Sequence, residues 1–214
     1  TMTMADGVIY SGEWLDGQIQ GRGTLTQTNG DVYDASFVAS KREGEGTVTY
    51  ANGDTYEGSF KDDRRDGQGT FTGTDGYVYA GSWVAGQIEG EGRVTYPDGS
   101  VYAGQFRSDL ADGTGKITYP DGSTYEGEWL AGVIEGKGRA TYPNGIVYEG
   151  DFKNARNEGQ GVMTYADGYR YEGAWQDGQR HGMGTATYPD GTVYAGGFEK
   201  GQRHGEGTIT MATG

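Results

Sequence analysis

The stretch Tyr125-Glu126-Gly127-Glu128-Trp129 decides the fold, because it returns with small changes every 23 residues along the chain. We count positions within each repeat from its first tyrosine, which is position 0, and Trp or Phe always stands at position +4. No insertion or deletion interrupts the period, so one structural element is repeated. The nine tyrosines at position 0 are Tyr10, Tyr33, Tyr56, Tyr79, Tyr102, Tyr125, Tyr148, Tyr171 and Tyr194.

Glycine follows the same period. The chain has 43 glycines among 214 residues, a share that often indicates a low-complexity tract. Here glycine fills positions +11, +13 and +20 in all nine repeats and position +2 in eight, with Ala35 as the exception. A glycine that recurs at a fixed position indicates a backbone requirement, so the chain is predicted to fold into a regular array.

The repeat has the pattern of a β-hairpin. Apolar and polar residues alternate from position −2 to +4 and again from +11 to +17, which is the period of a strand. Positions +5 to +10 are predicted to form the connecting loop. Asp-Gly or Asn-Gly, as in Pro143-Asn144-Gly145, then predicts a tight turn into the next repeat. Nothing in the sequence favours a helix.

These motifs resemble the MORN repeat (membrane occupation and recognition nexus). Tyr125–Trp129 and His181-Gly182-Met183-Gly184 are very similar to the family pattern, and the resemblance covers residues 8–214. The departures are local: Ala35 stands for Gly, and Gln27, Gly73 and Met211 stand for the second tyrosine. The resemblance implies an all-β rod, often dimeric. The family's link to phosphoinositides fits poorly with a net charge of −14.

We therefore predict an all-β fold, an elongated single-layer twisted antiparallel sheet of nine tandem 23-residue hairpins with about 18 strands. Residues 1–7 are predicted to be a leader with the remnant of a preceding repeat, and residues 8–214 to form one continuous rod. Glycines at +2, +11 and +13 are expected to lie on the aromatic face, where rings cover them. Because all four Trp repeats have Gly at +7, two loop geometries matched to ring size are expected.

Composition argues against several classes of protein. With 31 acidic and 17 basic residues the chain lacks the basic surface that nucleic acid requires, and membrane association is expected only indirectly. There is no cysteine, and His181 and His204, one repeat apart, have no third ligand, so no metal site is predicted. No enclosed group suits catalysis, and we predict neither enzyme activity nor a cofactor. Basic residues at +5 to +10 are interpreted as a solvated loop edge.

The leading hypothesis is a non-enzymatic scaffold that binds a partner peptide or helix along a concave aromatic groove. The alternative is a regulatory or membrane-targeting segment of a larger enzyme or tethered protein, since Gly7 and Gly214 are both turn glycines of incomplete repeats. Polysaccharide and phosphoinositide binding are less favoured. The sequence does not indicate a cellular compartment, and a cytoplasmic location, in association with membrane or cytoskeleton, is the default expectation. The groove is predicted to contain Trp83, Trp129, Trp175, Tyr102, Tyr125, Tyr148 and Tyr171.

A homodimer is also predicted. The run Thr208–Thr210 is expected to leave one strand edge unpaired, without a bulge, proline or lysine to protect it. The strand Val8–Trp14 is expected to lack an upstream partner. The C-terminal end is favoured as the dimer contact because Ile209 and Met211 make it more apolar, while Arg203 and His204 offset local acidity.

Overall fold

The computed structural model describes residues 1–212, and every regular element in this range is a β-strand. Gly214, the expected turn glycine of the last repeat, lies outside the described residues. The chain forms two compact bodies, Thr1–Leu110 and the residues from Ala111 onward. In each body, strands that are consecutive in sequence pair in antiparallel fashion. The prediction of an all-β antiparallel array of hairpins is confirmed.

Each repeat contributes a strand of seven residues, from position −1 to +5, and a strand of nine, from +8 to +16. The strands are β1 (Met2–Thr3), β2 (Ile9–Leu15), β3 (Gln18–Thr26), β4 (Val32–Val38), β5 (Lys41–Thr49), β6 (Thr55–Lys61), β7 (Arg64–Thr72), β8 (Val78–Val84), β9 (Gln87–Thr95), β10 (Val101–Arg107), β11 (Leu110–Thr118), β12 (Thr124–Leu130), β13 (Val133–Thr141), β14 (Val147–Lys153), β15 (Arg156–Thr164), β16 (Arg170–Gln176), β17 (Gln179–Thr187), β18 (Val193–Glu199) and β19 (Gln202–Thr210).

Turns within the hairpins are shorter than predicted. The loop expected over positions +5 to +10 is wrong, because only +6 and +7 lie between the strands. Both residues have positive φ in every repeat, for example 49° at Ala39 and 64° at Ser40, the geometry that matches the twist of a two-residue hairpin. The expectation of two loop geometries is also wrong: Ala131 and Gly132, in a Trp repeat, have φ of 47° and 83°.

A β-bulge interrupts the hairpins within each body beside position +11. In repeat 6, Gly127 pairs with Gly138 but Trp129 pairs with Ile134, so the longer strand has extra residues at this point. Gly136, at +11, has a φ of 71°, which favours glycine. A Cβ there would meet the Glu128 carboxylate on the polar face. The prediction that the +11 glycines lie on the aromatic face is therefore wrong.

The first strand has a partner that the sequence did not indicate. Met2 and Thr3 pair with Tyr10 and Ile9, so β1 brings the number of strands to 19. The expectation that the strand near Val8–Trp14 lacks any upstream partner is wrong for these two positions. At the other end, Thr208–Thr210 pair in regular register with β18, and the bulge of this hairpin lies earlier in β19, beside Gly205 with its φ of 73°.

The core is a layer of tyrosine rings lying on glycine backbone. At position 0, Tyr148 is 0% exposed, and a Cβ at Gly161 would come closer than 3.0 Å to its ring. The hydroxyl of Tyr148 donates a hydrogen bond to the carbonyl of Asp151 at 2.9 Å. The bare glycines at +2 and +13 thus leave the space that the ring occupies. The same contacts with both glycines are made by Tyr10, Tyr56, Tyr79, Tyr125, Tyr148, Tyr171 and Tyr194.

Rings at position +4 join one repeat to the next within each body. Trp175 meets Tyr171 of its own repeat and Tyr148 of the preceding one edge to face, with both centroid separations at 5.2 Å. Its indole Nε1 donates to the carbonyl of Gly161 at 3.1 Å. Edge-to-face pairs add about 1 kcal/mol to the area that they bury. Trp175 therefore joins its own repeat to the preceding one by an aromatic contact and a hydrogen bond.

Acidic residues at position +10 add a second link between repeats. The carboxylate of Glu135 accepts a hydrogen bond from the backbone N–H of Asn154, in the turn of the next repeat, at 2.9 Å. Glu89 and Glu158 make the equivalent bonds to Ser108 and Asp177. These acidic side chains therefore hold the turns in place, although the sequence pattern had assigned position +10 to a solvated loop edge.

Candidate functional site

Half-buried aromatic side chains form a row beside the connections between repeats. In the first body the row consists of Tyr50, Phe71, Tyr77 and Tyr96, and we call these four residues the aromatic row. Their ring centroids are separated in succession by 6.3, 6.1 and 6.2 Å. In the repeat of Phe71, position +17 is Gly73 and provides no ring. Phe71, at position +15 of that repeat, takes its place, so the row continues past Gly73.

Arg65 packs beneath the start of the row. Its guanidinium lies 5.5 Å from the Tyr50 centroid and 5.2 Å from that of Phe71, and it donates to the Tyr50 hydroxyl at 2.5 Å. It also stacks on the core ring of Trp83 at 4.7 Å. The arginine therefore fixes the orientation of the row through cation–π contacts, each worth about 1 kcal/mol or more.

Two ionised carboxylates stand beside the row. Asp31 accepts from the backbone N–H of Ala51, and Asp54 accepts from that of Thr74, both at 2.9 Å. These hydrogen bonds lower the pKa of both carboxyl groups, because they stabilise the charged form. Among the described residues neither group has a cation within ion-pair distance. Together with Tyr50, Phe71 and Arg65 they line an open pocket of about 390 Å³.

The second body has a matching arrangement. Tyr165, Tyr169 and Tyr188 follow one another with centroid separations of 5.2 and 5.3 Å, and all three are half-buried. Arg180 donates to the Tyr169 hydroxyl and lies 5.5 Å from the ring of Phe198. Burial raises the pKa of Tyr169, and the nearby arginine partly opposes that shift. A half-buried row supported by an arginine therefore occurs in both bodies.

The predicted groove residues lie in the core. Their exposed fractions range from 0% for Tyr148 and Tyr171 to 9% for Trp129. The structure thus places them beneath the surface, where they pack on glycines and on one another. Their contact with a partner stays a prediction, and they could take part only as the floor of a binding surface. The seven are Trp83, Trp129, Trp175, Tyr102, Tyr125, Tyr148 and Tyr171.

The predicted dimer residues lie at the surface. Ile209 is 52% exposed and Met211 is 70% exposed. Arg203 lies 5.2 Å from the ring centroid of Tyr194, and His204 lies 3.5 Å from the carboxylate of Glu199. Their role in dimerisation stays a prediction.

Basic residues at position +9 do not form the solvated loop edge expected from the sequence. Because the turn is short, this position falls within a strand and faces the rings. Arg42, Arg65 and Arg180 accordingly stack on aromatic side chains. Across residues 1–212, no group of three or more histidine and acidic side chains could hold a metal ion. No helix suited to crossing a membrane occurs in that range.

Sequence reasoning missed the aromatic row, although a signal was present. Tyrosine stands at +17 in Tyr50 and Tyr96, and the strand alternation places +17 on the same face as +13 and +15. Alternation in the next repeat could also have placed Tyr77, two residues before the tyrosine at position 0, on that face.

Comparison with known proteins identifies the repeat. A MORN repeat family model matches nine consecutive segments, which are residues 10–32, 33–55, 56–76, 79–101, 102–124, 125–147, 148–168, 171–193 and 194–214. No curated protein sequence matches the chain.

Solved structures to which the chain is similar share little sequence with it. The wild-type TCP10 domain of Danio rerio CPAP has a TM-score of 0.54 and 16% identity, with 99% of both chains covered. The same domain in complex with a peptide of Danio rerio STIL has a TM-score of 0.39 and 17% identity, covering 96% of this chain and 99% of the other. The SAS-4 (dCPAP) TCP domain of Drosophila melanogaster, in complex with a proline-rich motif of Ana2, has a TM-score of 0.36 and 14% identity, covering 99% and 88%. With nine matched segments along almost its whole length, this chain belongs to the MORN repeat family.

Proposed function

We propose that this chain is a non-enzymatic protein-interaction module that binds an extended peptide along the aromatic row. The observation that carries the proposal is the unbroken line of four half-buried rings with two ionised carboxylates beside it. Tyrosine is enriched in binding hot spots because it buries a large area while losing few torsions.

The surroundings of the row support this role. Arg65 holds the rings of Tyr50 and Phe71 from below, so little conformational entropy is lost when a peptide packs on them. The core rings lie directly beneath and form a rigid floor. A surface of this kind is fixed before the partner arrives.

Selection of peptides from a displayed random library tests the proposal. Peptides recovered on the full chain are expected to bind at least ten-fold more weakly to the double variant Tyr50→Ala, Tyr96→Ala, because each substitution removes one aromatic ring of the row. Thr47→Ala with Thr70→Ala is the matched control, because both threonines are exposed at +14 on the opposite face. Peptides that bind the row variant as tightly as the unaltered chain would refute the proposal.

We propose further that two copies of the chain associate through the edge of β19. The exposed apolar side chains of Ile209 and Met211 support this contact. Light scattering is expected to give about twice the chain mass of 22.9 kDa at high micromolar concentration. The change Ile209→Lys with Met211→Lys should return the mass to that of one chain, whereas Leu15→Lys, on an exposed residue of β2, should not. A single-chain mass for the unaltered protein would refute the dimer.

A further inference from the structure

We infer that the occupant of the aromatic row is a proline-rich peptide in the polyproline II conformation, with two basic side chains three residues apart. This inference rests on the proposed function and names the class of its partner. It is carried by the spacing of the rings and by the two carboxylates beside them.

The spacing of the row matches polyproline II. Three centroid separations of 6.3, 6.1 and 6.2 Å place Tyr50 and Tyr96, which are two repeats apart, no more than about 19 Å from each other. The same two repeats span four strand spacings, which also come to about 19 Å, so the row is nearly straight. Each repeat therefore advances by at most about 9.3 Å along the rings and by about 9.6 Å along the strands. A polyproline II helix advances by about 9.3 Å in one turn of three residues.

Other peptide conformations fit this spacing less well. Two turns of α-helix, or seven residues, advance about 10.5 Å, so a helix loses register by about 1 Å at every repeat. An extended strand returns a side chain to the same face about every 6.7 Å, which does not divide the repeat. A polyproline II segment presents one residue in three to each successive repeat. Aromatic-lined grooves are the usual binding surface for this conformation.

The two carboxylates account for the two basic side chains of the peptide. Asp31 and Asp54 occupy the same position in consecutive repeats, so they are separated by one turn of polyproline II. Both face the pocket that Tyr50 and Phe71 line, and among the described residues neither carries an ion pair. Arg65 in the same pocket is already engaged by four aromatic rings and the Tyr50 hydroxyl. The open charge beside the row is therefore negative and suits arginine or lysine in the peptide.

Fluorescence anisotropy with labelled synthetic peptides tests the inference on the full chain. The probe is a capped 12-residue peptide of ten prolines and two arginines, with the arginines three residues apart. One comparison peptide has the same composition with adjacent arginines, and the other replaces every proline with glycine. We expect the probe to bind at least five-fold more tightly than the first and at least ten-fold more tightly than the second.

Variants of the chain locate the effect. Asp31→Asn with Asp54→Asn keeps an oxygen that can accept the backbone N–H and is expected to abolish the preference for arginines three residues apart. Glu57→Gln with Glu91→Gln removes the same charge from exposed positions of the polar face and should leave the preference intact. Equal binding of the probe and both comparison peptides would overturn the inference. If library peptides still required the row in that case, the proposed function would stand; if none did, both would fall.

Discussion

A single methyl group changes the core of one repeat. Ala35 occupies the +2 position that is glycine elsewhere, and its side chain is 1% exposed. In that repeat the Tyr33 hydroxyl no longer reaches the backbone of position +3 and lies 3.4 Å from the carboxylate of Asp31. Arg42 fills the gap, with its guanidinium 4.3 Å from the Tyr33 ring centroid and 5.2 Å from that of Phe60. The space above the inner glycines therefore decides where the tyrosine goes.

The same space makes these glycines hard to replace. We expect Gly161→Ala to lower the free energy of unfolding by about 2 kcal/mol, because its Cβ would come closer than 3.0 Å to the Tyr148 ring and force it to move. Denaturant titration followed by circular dichroism measures the change.

A double-mutant cycle identifies the cause of that loss. Replacing Tyr148 with leucine removes the ring, so Gly161→Ala should cost much less in the Tyr148→Leu background than in the unaltered chain. An equal cost in both backgrounds would show that the ring is not responsible.

Residue patterns in the sequence were sufficient for part of this core. Tyrosines in register with glycines at +2 and +13 predicted rings lying on bare backbone, and the structure confirms it for the residues around Tyr148. The +11 glycine could not be placed in the same way. A bulge shifts the alternation by changing the residue count, and Gly136 is needed there for its φ of 71°.

At the scale of the element, the residues at +7 differ in whether a side-chain hydrogen bond offsets their positive φ. Asp63 has a φ of 66°, but its carboxylate accepts the backbone N–H of Arg42 at 2.9 Å. Asp109 accepts that of Ile88 at 2.7 Å. Ala155 has a φ of 60° and a side chain that cannot accept a hydrogen bond. The strain at Ala155 is therefore not offset by its side chain.

Ala155→Gly is expected to raise the free energy of unfolding by about 1 kcal/mol, since glycine adopts the left-handed region without the steric cost that alanine bears. Asp63→Gly offers the same relief but removes the hydrogen bond to Arg42, so its net effect should be zero or a loss. Urea unfolding of the two variants compares them directly. A larger gain for Asp63→Gly than for Ala155→Gly would contradict this account.

The turn was the least predictable element. Charged residues at +8 to +10, such as Arg64 and Arg65, resemble a loop in composition, and this made the connection look six residues long. In the structure they lie in a strand, where Arg65 faces the rings and the +10 carboxylates bind the next turn. These roles depend on contacts between neighbouring repeats, which composition within one repeat does not contain.

At the scale of the whole molecule, the repeated tyrosines give stability a common dependence on pH. Burial raises the pKa of Tyr56, Tyr125 and Tyr171 to about 12, from an ordinary value of 10.0. It also raises those of Tyr79 and Tyr148. The folded chain thus keeps these phenol protons to higher pH than the unfolded chain does. The resulting stability is fully present below pH 10 and is lost as pH rises toward 12.

Thermal unfolding at a series of pH values tests this expectation. The midpoint should change little from pH 8 to pH 9.5 and then fall steeply up to pH 12, together with the appearance of tyrosinate absorbance. A midpoint that stayed constant through pH 12 would mean that the core tyrosines ionise as readily in the folded chain as in the unfolded one.

The displaced Tyr33 also shows that one of two side chains depends on the other. Arg65 and Arg180 stand at the same +9 position as Arg42, in repeats where the tyrosine still covers its glycines, so arginine is compatible with the ordinary arrangement. Alanine at +2 is not, because it expels the ring and leaves a gap. Arginine at +9 without the alanine would leave the ordinary core intact, whereas the alanine without the arginine would leave an unfilled gap. The dependence between the two side chains is therefore one-sided.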